Sequence, residues 1–306
     1  MAMATLVRFV GIWFVAFATG SAWAVVAIDG LDDMDLGTWA PASGTLSDSE
    51  DFCVAARRGN SSNAGPYAVM VSPLAGAQFE LVSVTDPGVA IPVSLSFQDL
   101  LSGLSTLLTP SVFSSREMTG VANCIGANNA RIEVTIAAGD LALATPGDYR
   151  ASFRFTGEGT ANQTLSQDFS LTLRTLPVIQ ISGLDPIDLG TYDGVSDLQG
   201  GDDFCVFSNS ATGAYTVTAS GQGSNGSFAV LGGSAGIPLA VEYDDGSGYV
   251  PMVANTPSVQ ANADDGGLDC TGASSARIRV RALSADMQTA DGGIYSGELT
   301  LLVAPI

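Results

Sequence analysis

The sequence predicts an all-β protein made of two tandem immunoglobulin-like antiparallel β-sandwich domains. Three observations predict this fold: short segments alternate apolar with polar residues, turn-forming residues separate those segments, and the second half of the chain repeats the first. A strand that is apolar at every second residue buries one face and exposes the other, which is typical of antiparallel sandwiches.

The alternation is clearest at residues 67–71, 91–97 and 131–136. Clusters of glycine, serine, asparagine and aspartate lie between such segments, and the chain contains 36 glycines. These residue types favour turns through backbone freedom and local hydrogen bonds, so they indicate many short strands.

A duplicated unit organises the chain. Six short motifs return in the same order at spacings that drift from 153 to 146 residues: 31–39 returns at 184–192, 51–54 at 203–206, 65–69 at 213–217, 91–93 at 237–239, 124–127 at 270–273, and 130–132 at 276–278. Loops change length more readily than strands, which explains the drift. We therefore expect one domain at residues 25–176 and a second at 177–306.

Each repeat contains one early and one late cysteine, and the chain has no other. In a secreted protein this arrangement points to disulfides, and the simplest pairing is Cys53–Cys124 and Cys205–Cys270. The two alternative connectivities would both cross-link the repeats. In the chain-entropy model, a disulfide that closes a loop of this length stabilises its domain by about 4 kcal/mol.

The first 24 residues are typical of a signal peptide. Arg8 supplies the positive charge, an apolar stretch occupies residues 9–17, and Ala22-Trp23-Ala24 places small residues at the cleavage positions. We therefore expect a secreted chain that starts at Val25 and has no membrane anchor. An uncleaved anchor is the alternative.

Composition excludes several classes of function. The net charge is −20, with 11 basic residues against 31 acidic ones, which disfavours nucleic acids and anionic membranes as partners. The chain has no histidine and no lysine, so the usual general bases are missing and we expect no enzyme and no cofactor. The acid pairs Asp32-Asp33 and Asp202-Asp203 are poor glycosidase candidates, because adjacent strand residues point to opposite faces.

Paired aspartates also raise the question of calcium. The pairs lie at residues 202–203, 244–245 and 264–265, and none has the spacing of a known calcium loop. We expect solvated turns at these positions and no metal site.

The two repeats end differently. In repeat one, an alternating strand at 149–156 is followed by another at 165–175, whose Phe169, Leu171 and Leu173 point inward. In repeat two, the strand at 295–303 has no such successor, so Tyr295, Leu299, Leu301 and Val303 are expected to line an uncovered groove. A strand from another chain is one way to cover such an edge.

A family resemblance follows from the motif order in repeat two. Leu-Gly-Thr-Tyr at 189–192, Cys205, Gly-Ala-Tyr-Thr-Val at 213–217 and Gly-Ile-Tyr at 293–295 together resemble the spore coat U domain, which occurs in subunits of archaic chaperone–usher pili. The resemblance implies an incomplete immunoglobulin-like fold that a periplasmic chaperone and then an adjacent pilus subunit complete. It also implies an outer-membrane usher as a partner and a final location in a cell-surface pilus.

Tip adhesins of such pili have a binding domain followed by a pilin domain, and they lack a donor extension. This chain is similar, since Val25 leaves little room before the first strand. A structural pilus or coat subunit, or a free secreted binding module, are the alternatives.

One apolar segment is present only in repeat one. Residues 99–113 are rich in leucine, whereas the matching stretch of repeat two is polar. We expect this segment to bind a surface or receptor through six residues: Leu100, Leu101, Leu104, Leu107, Leu108 and Phe113. The leucine spacing also suits a short helix that caps the sandwich, which is the alternative.

Overall fold

The computed structural model describes residues 26–58, 63–126, 128–160, 162–232 and 235–306. The predicted signal peptide lies outside these residues. The all-β prediction is confirmed, because 21 strands and only two short α-helices, α1 (Ala138–Leu143) and α2 (Ser284–Met287), form the described chain. No helix within the described residues has the length and apolarity that crossing a membrane requires.

The first twelve strands form the N-terminal sandwich. One sheet has the order β1-β3-β10-β7-β8, and the other has the order β2-β12-β11-β4-β9, with β5 beside β11 and β6 beside β5. The strands are β1 (Val26–Asp29), β2 (Met34–Trp39), β3 (Leu46–Ala56), β4 (Pro66–Pro73), β5 (Glu80–Ser83), β6 (Ala90–Pro92), β7 (Ser94–Asp99), β8 (Ser105–Leu107), β9 (Met118–Thr119), β10 (Ala130–Ile136), β11 (Gly147–Glu158) and β12 (Thr164–Thr175).

The remaining nine strands form the C-terminal sandwich. Its larger sheet has the order β13-β14-β20-β17-β16 with β18 beside β17, and its smaller sheet has only β19-β15-β21. The strands are β13 (Ile179–Ser182), β14 (Leu198–Ser208), β15 (Tyr215–Gly221), β16 (Ala229–Gly232), β17 (Ala235–Asp244), β18 (Val250–Pro251), β19 (Ser258–Gln260), β20 (Ala276–Ala282) and β21 (Leu299–Pro305).

No strand pairing among the described residues joins the two sandwiches. The domain limits at 25–176 and 177–306 stay predictions. The disulfides join Cys53 to Cys124 and Cys205 to Cys270, so each lies within one repeat, as the duplication predicts.

Asn209 ties the sandwiches together at their junction. Its side chain accepts a hydrogen bond from Val178 N at 2.7 Å and donates to the carbonyl oxygens of Ala144 at 2.7 Å and Leu176 at 3.3 Å. Because Asn209 is buried, these bonds replace contacts with water and fix the linker between β12 and β13. Phe207 beside it packs with the N-terminal core.

The two cores differ at one tyrosine pair. In the C-terminal sandwich the hydroxyls of Tyr215 and Tyr243 lie 2.8 Å apart, and burial raises the pKa of Tyr215 to about 12. In the N-terminal sandwich Tyr67 takes the place of Tyr215, but Phe97 takes the place of Tyr243. The buried Tyr67 hydroxyl consequently has no hydrogen-bond partner among the described protein atoms.

This difference predicts opposite effects for one chemical change. Tyr67→Phe should raise the free energy of unfolding by about 1 kcal/mol, because it removes an unpaired buried hydroxyl. Tyr243→Phe should lower it by about 1–2 kcal/mol, because it leaves the Tyr215 hydroxyl unpaired. Thermal melts of both variants check this, and equal losses in the two would contradict it.

Candidate functional site

An open groove runs along the free edge of β21. In the N-terminal sandwich, β11 is paired along its whole length with β12, and β2 pairs with the far edge of β12 in parallel. In the C-terminal sandwich, β21 pairs with β15 on one side, and no described strand lies on its other side. The position that β12 occupies in repeat one is therefore open in repeat two.

Apolar side chains line this groove, which has a volume of about 920 Å³. The larger sheet contributes Val241, Ile278 and Val280, and these are buried. The segment that matches β2 contributes Ile187 and Leu189 from the opposite wall. The floor of the groove is therefore apolar, like the core of a sandwich, and the groove is open to solvent along one side.

Burial at equivalent positions of the two repeats shows the effect of the absent strand. Met34, Leu36 and Trp39 are buried because β2 pairs with β12. Their counterparts in repeat two, Ile187, Leu189 and Tyr192, are only half-buried, and they form no strand. The same motif thus lacks the neighbour that would bury it.

Three of the four residues predicted for the groove line it: Tyr295, Leu299 and Leu301. Val303 is half-buried on the same face of β21, against the C-terminal core. The predicted strand at 295–303 is wrong at its start, because β21 begins at Leu299. Tyr295 instead donates its hydroxyl hydrogen to the Asp291 carbonyl at 2.8 Å, as Tyr149 does to Thr145 at 2.7 Å.

The apolar segment of repeat one forms a hairpin, not the short helix that its leucine spacing permits. β7 ends at Asp99, a turn follows, and β8 returns beside β7. Asp99 is fully buried and accepts hydrogen bonds from the backbone N–H groups of Leu101 at 2.9 Å and Thr119 at 2.9 Å. A buried carboxylate that binds backbone amides fixes this turn and excludes helical geometry from it.

The six residues predicted for surface binding do not form one patch. Leu101 and Leu104 are exposed in the hairpin turn, whereas Leu107 is exposed on the edge strand β8. Leu100 is half-buried. Phe113 is exposed near β4, where the following residue, Ser114, bonds to Val69.

The surface-binding prediction is wrong for Leu108, because this residue is 6% exposed and belongs to the N-terminal core. It therefore cannot contact an external surface. The leucine count alone does not distinguish it from Leu107, which is 74% exposed. Strand alternation separates the two, since neighbouring residues point to opposite faces.

A matched pair of variants tests this correction. Leu108→Ala should lower the free energy of unfolding by about 2–5 kcal/mol, the usual range for a core leucine. Leu107→Ala should leave it within about 0.5 kcal/mol, as for most surface changes. Chemical denaturation measures both, and a large loss in Leu107→Ala would contradict the placement.

The hairpin turn and the junction lie toward opposite ends of β10, because Asp99 pairs with Ala130 at its start whereas Ala144, which binds Asn209, follows its end. Leu100 N donates to Asn129 O at 2.9 Å, which brings the loop that contains Cys124 beside the turn. Ile125 in that loop is 84% exposed. The sequence interpretation missed Ile125, because a lone isoleucine beside a cysteine carries no periodic signal. Leu101, Leu104 and Ile125 define what we call the apolar end.

The paired aspartates do not all lie in solvated turns. Asp244 and Asp245 are buried, which corrects that expectation for this pair. Asp244 accepts backbone hydrogen bonds from Gly246 at 2.8 Å and Gly248 at 2.7 Å, and Asp245 accepts one from Ala261 at 3.0 Å. Asp245 in repeat two thus has the same role as Asp99 in repeat one: each buried carboxylate accepts hydrogen bonds from backbone amides. Within the described residues, no group of three metal-binding side chains occurs.

Three of the four acids considered for catalysis have structural partners. Asp33 accepts the Ser170 N–H at 2.7 Å, and Asp202 accepts the Asp185 N–H at 2.7 Å. Asp203 lies 3.3 Å from the Arg277 guanidinium.

A solved structure has a fold similar to that of this chain. A chain in the CsuC–CsuE chaperone–tip adhesion subunit pre-assembly complex, from archaic chaperone–usher Csu pili of Acinetobacter baumannii, aligns with a TM-score of 0.52. The alignment covers 91% of this chain and 99% of that one at 12% identity. The fold of this chain is therefore similar to that of one chain of that complex.

Two further solved structures align with lower TM-scores. CfaE, the adhesive subunit of CFA/I fimbria of enterotoxigenic Escherichia coli, aligns at 13% identity with a TM-score of 0.39, over 90% of this chain and 94% of CfaE. The CupB6 tip adhesin of Pseudomonas aeruginosa aligns at 8% identity with a TM-score of 0.34, over 91% and 94%. No protein-family model and no curated protein sequence matches the chain.

Proposed function

We propose that this chain is a secreted, non-enzymatic pilus-tip adhesin that accepts a donor strand in its C-terminal sandwich. The observation that carries the proposal is the open groove beside β21, at the place where β12 completes the N-terminal sandwich. An exposed apolar groove with an unpaired strand edge is a liability in water unless another strand fills it.

The proposed partners follow from this role. A periplasmic chaperone supplies the strand during transit, an outer-membrane usher receives the complex, and the adjacent pilus subunit then supplies its own strand. The resemblance to the spore coat U domain and the fold similarity to a chaperone–tip subunit complex support these partners. Residues 26–29 pair with β3 in their own sheet, so this strand is not available as a donor.

We assign binding to the apolar end of the N-terminal sandwich. Its hairpin turn lies toward the opposite end of β10 from Ala144, which binds Asn209, and its three apolar side chains are exposed. Its ligand is an apolar surface or an apolar patch on a receptor.

Attachment to polystyrene tests the binding role. Beads that carry the full chain should lose most of their attachment when Leu101, Leu104 and Ile125 are replaced by serine. The matched control is Val253→Ser, which alters an equally exposed apolar residue of the C-terminal sandwich. Equal loss in the control, or no loss in the triple variant, would contradict the assignment.

A donor peptide tests the acceptor role. The sequence of β12, residues 164–175, should form a one-to-one complex with the full chain by native mass spectrometry. A peptide of the same composition without the apolar alternation should not bind. If neither peptide binds, the groove is not an acceptor.

A further inference from the structure

The side chains of β11 and β12 in the N-terminal sandwich are matched on the outer face of the sheet as well as on its core face. Arg154 donates to both carboxylate oxygens of Asp168, at 2.7 and 2.9 Å. The hydroxyls of Thr156 and Ser166 lie 2.8 Å apart. Each pair stands directly opposite in the strand register, so the outward side chains contribute to pairing.

β21 and the residue before it present different residues in this outward row. The register with β4 and β15 places Leu302 at the position of Thr156, and its continuation by one residue beyond β21 places Glu298 at the position of Ser152. Leu302 is 65% exposed, although it lies in the middle of β21. Its apolar side chain is next to the open position, whereas the equivalent residue in repeat one, Thr156, is polar.

We propose that Leu302 and Glu298 form a second recognition row that selects the donor strand from outside the groove. This inference rests on the proposed function, because it requires an external strand beside β21. A donor that runs antiparallel to β21, as β12 does to β11, would place an apolar residue opposite Leu302. Four residues later it would place a basic residue opposite Glu298, because opposite charges across a strand pair stabilise it.

Four binding measurements test the row at Leu302. Two peptides of the β12 sequence carry Ser166→Leu or Ser166→Asp, since Ser166 is the position that would face Leu302. The full chain is used in its natural form and as Leu302→Arg. For the natural chain, the leucine peptide should bind about two- to fivefold more tightly than the aspartate peptide, and Leu302→Arg should reverse this order.

A second set of measurements tests Glu298. A peptide with Ser170→Arg should bind the natural chain more tightly than the unmodified peptide does, and Glu298→Gln should remove that gain. Added salt should reduce the gain as well, because the ion pair is exposed to solvent.

The outcomes separate the two proposals. If the peptides bind but the order of their affinities does not depend on residue 302 or 298, the proposed recognition row is wrong and the proposed acceptor groove is still supported. If no peptide binds either form of the chain, the acceptor groove and the recognition row are both overturned.

Discussion

Adding the missing strand to the chain itself should raise the melting temperature of the C-terminal sandwich by about 10 °C, the shift expected from about 3 kcal/mol in a domain of this size. The variant joins a copy of residues 159–175, which contains the turn and β12, directly to Ala304, the residue that matches Glu158 at the end of β11. In the N-terminal sandwich this segment follows β11 as a hairpin, so the copy should fold back along β21 in the same way.

The expected gain comes from apolar burial. Phe169, Leu171 and Leu173 are almost fully buried between the sheets of the N-terminal sandwich. Each side chain of this size contributes about 1.5–3 kcal/mol when buried, before the cost of ordering the strand is subtracted. In the variant their copies would face Leu299, Gly297 and Tyr295, which border the open groove.

A matched extension controls for length. It has the same sequence except for serine at the three copied apolar positions, and it should leave the melting temperature unchanged. Calorimetry of the natural chain and both extended chains makes the comparison. An equal rise with both extensions, or no rise with either, would contradict the missing-strand account.

Loss of the disulfide should unfold the C-terminal sandwich at 37 °C but not the N-terminal one. The bonds close chain separations of 71 and 65 residues, so their removal costs nearly the same, about 4 kcal/mol each in the chain-entropy model. Domains are stable by only about 5–15 kcal/mol, and the C-terminal sandwich lacks the burial that β12 provides. The same loss therefore exceeds the stability of only one of them.

Two double-serine variants make this comparison: Cys53→Ser with Cys124→Ser, and Cys205→Ser with Cys270→Ser. Limited proteolysis at 37 °C should cut the second variant within the C-terminal sandwich and leave the first intact. The strand extension should restore protection to the second variant. Equal resistance of the two variants would contradict the predicted difference in stability.

The sequence predicted the fold class and the open edge because both depend on local patterns that repeat. Alternation locates β4, β10 and β12 within a few residues, and the duplication shows that β12 of repeat one has no counterpart among the described strands of repeat two. Where a pattern has two physical interpretations, the sequence was insufficient. The leucines at 100–108 suit a helix by spacing, yet the buried Asp99 holds a hairpin there.

Other features depend on contacts between distant residues and leave no local pattern. Asn209 binds Ala144 across 65 positions, and nothing in its neighbourhood marks it as a junction residue. Asp244 and Asp245 resemble solvated turn residues by composition, but amides from their own turn and from Ala261 satisfy them in a buried site. Tyr295 continues the alternation of β21 but lies outside it, and its neighbour Ser296 forms only an isolated bridge with Leu231 of β16.

Hydrogen exchange along β21 tests the central claim most directly, and β11 in the same molecule is its reference. β11 has neighbours on both edges, whereas β21 has a described neighbour on one edge only. In the full chain, alternate amides of β21 should exchange quickly while those of β11 stay protected, and a bound donor peptide should protect β21 as well. Protection of β21 equal to that of β11 without any added strand would contradict the claim that the C-terminal sandwich is incomplete without a strand from another chain.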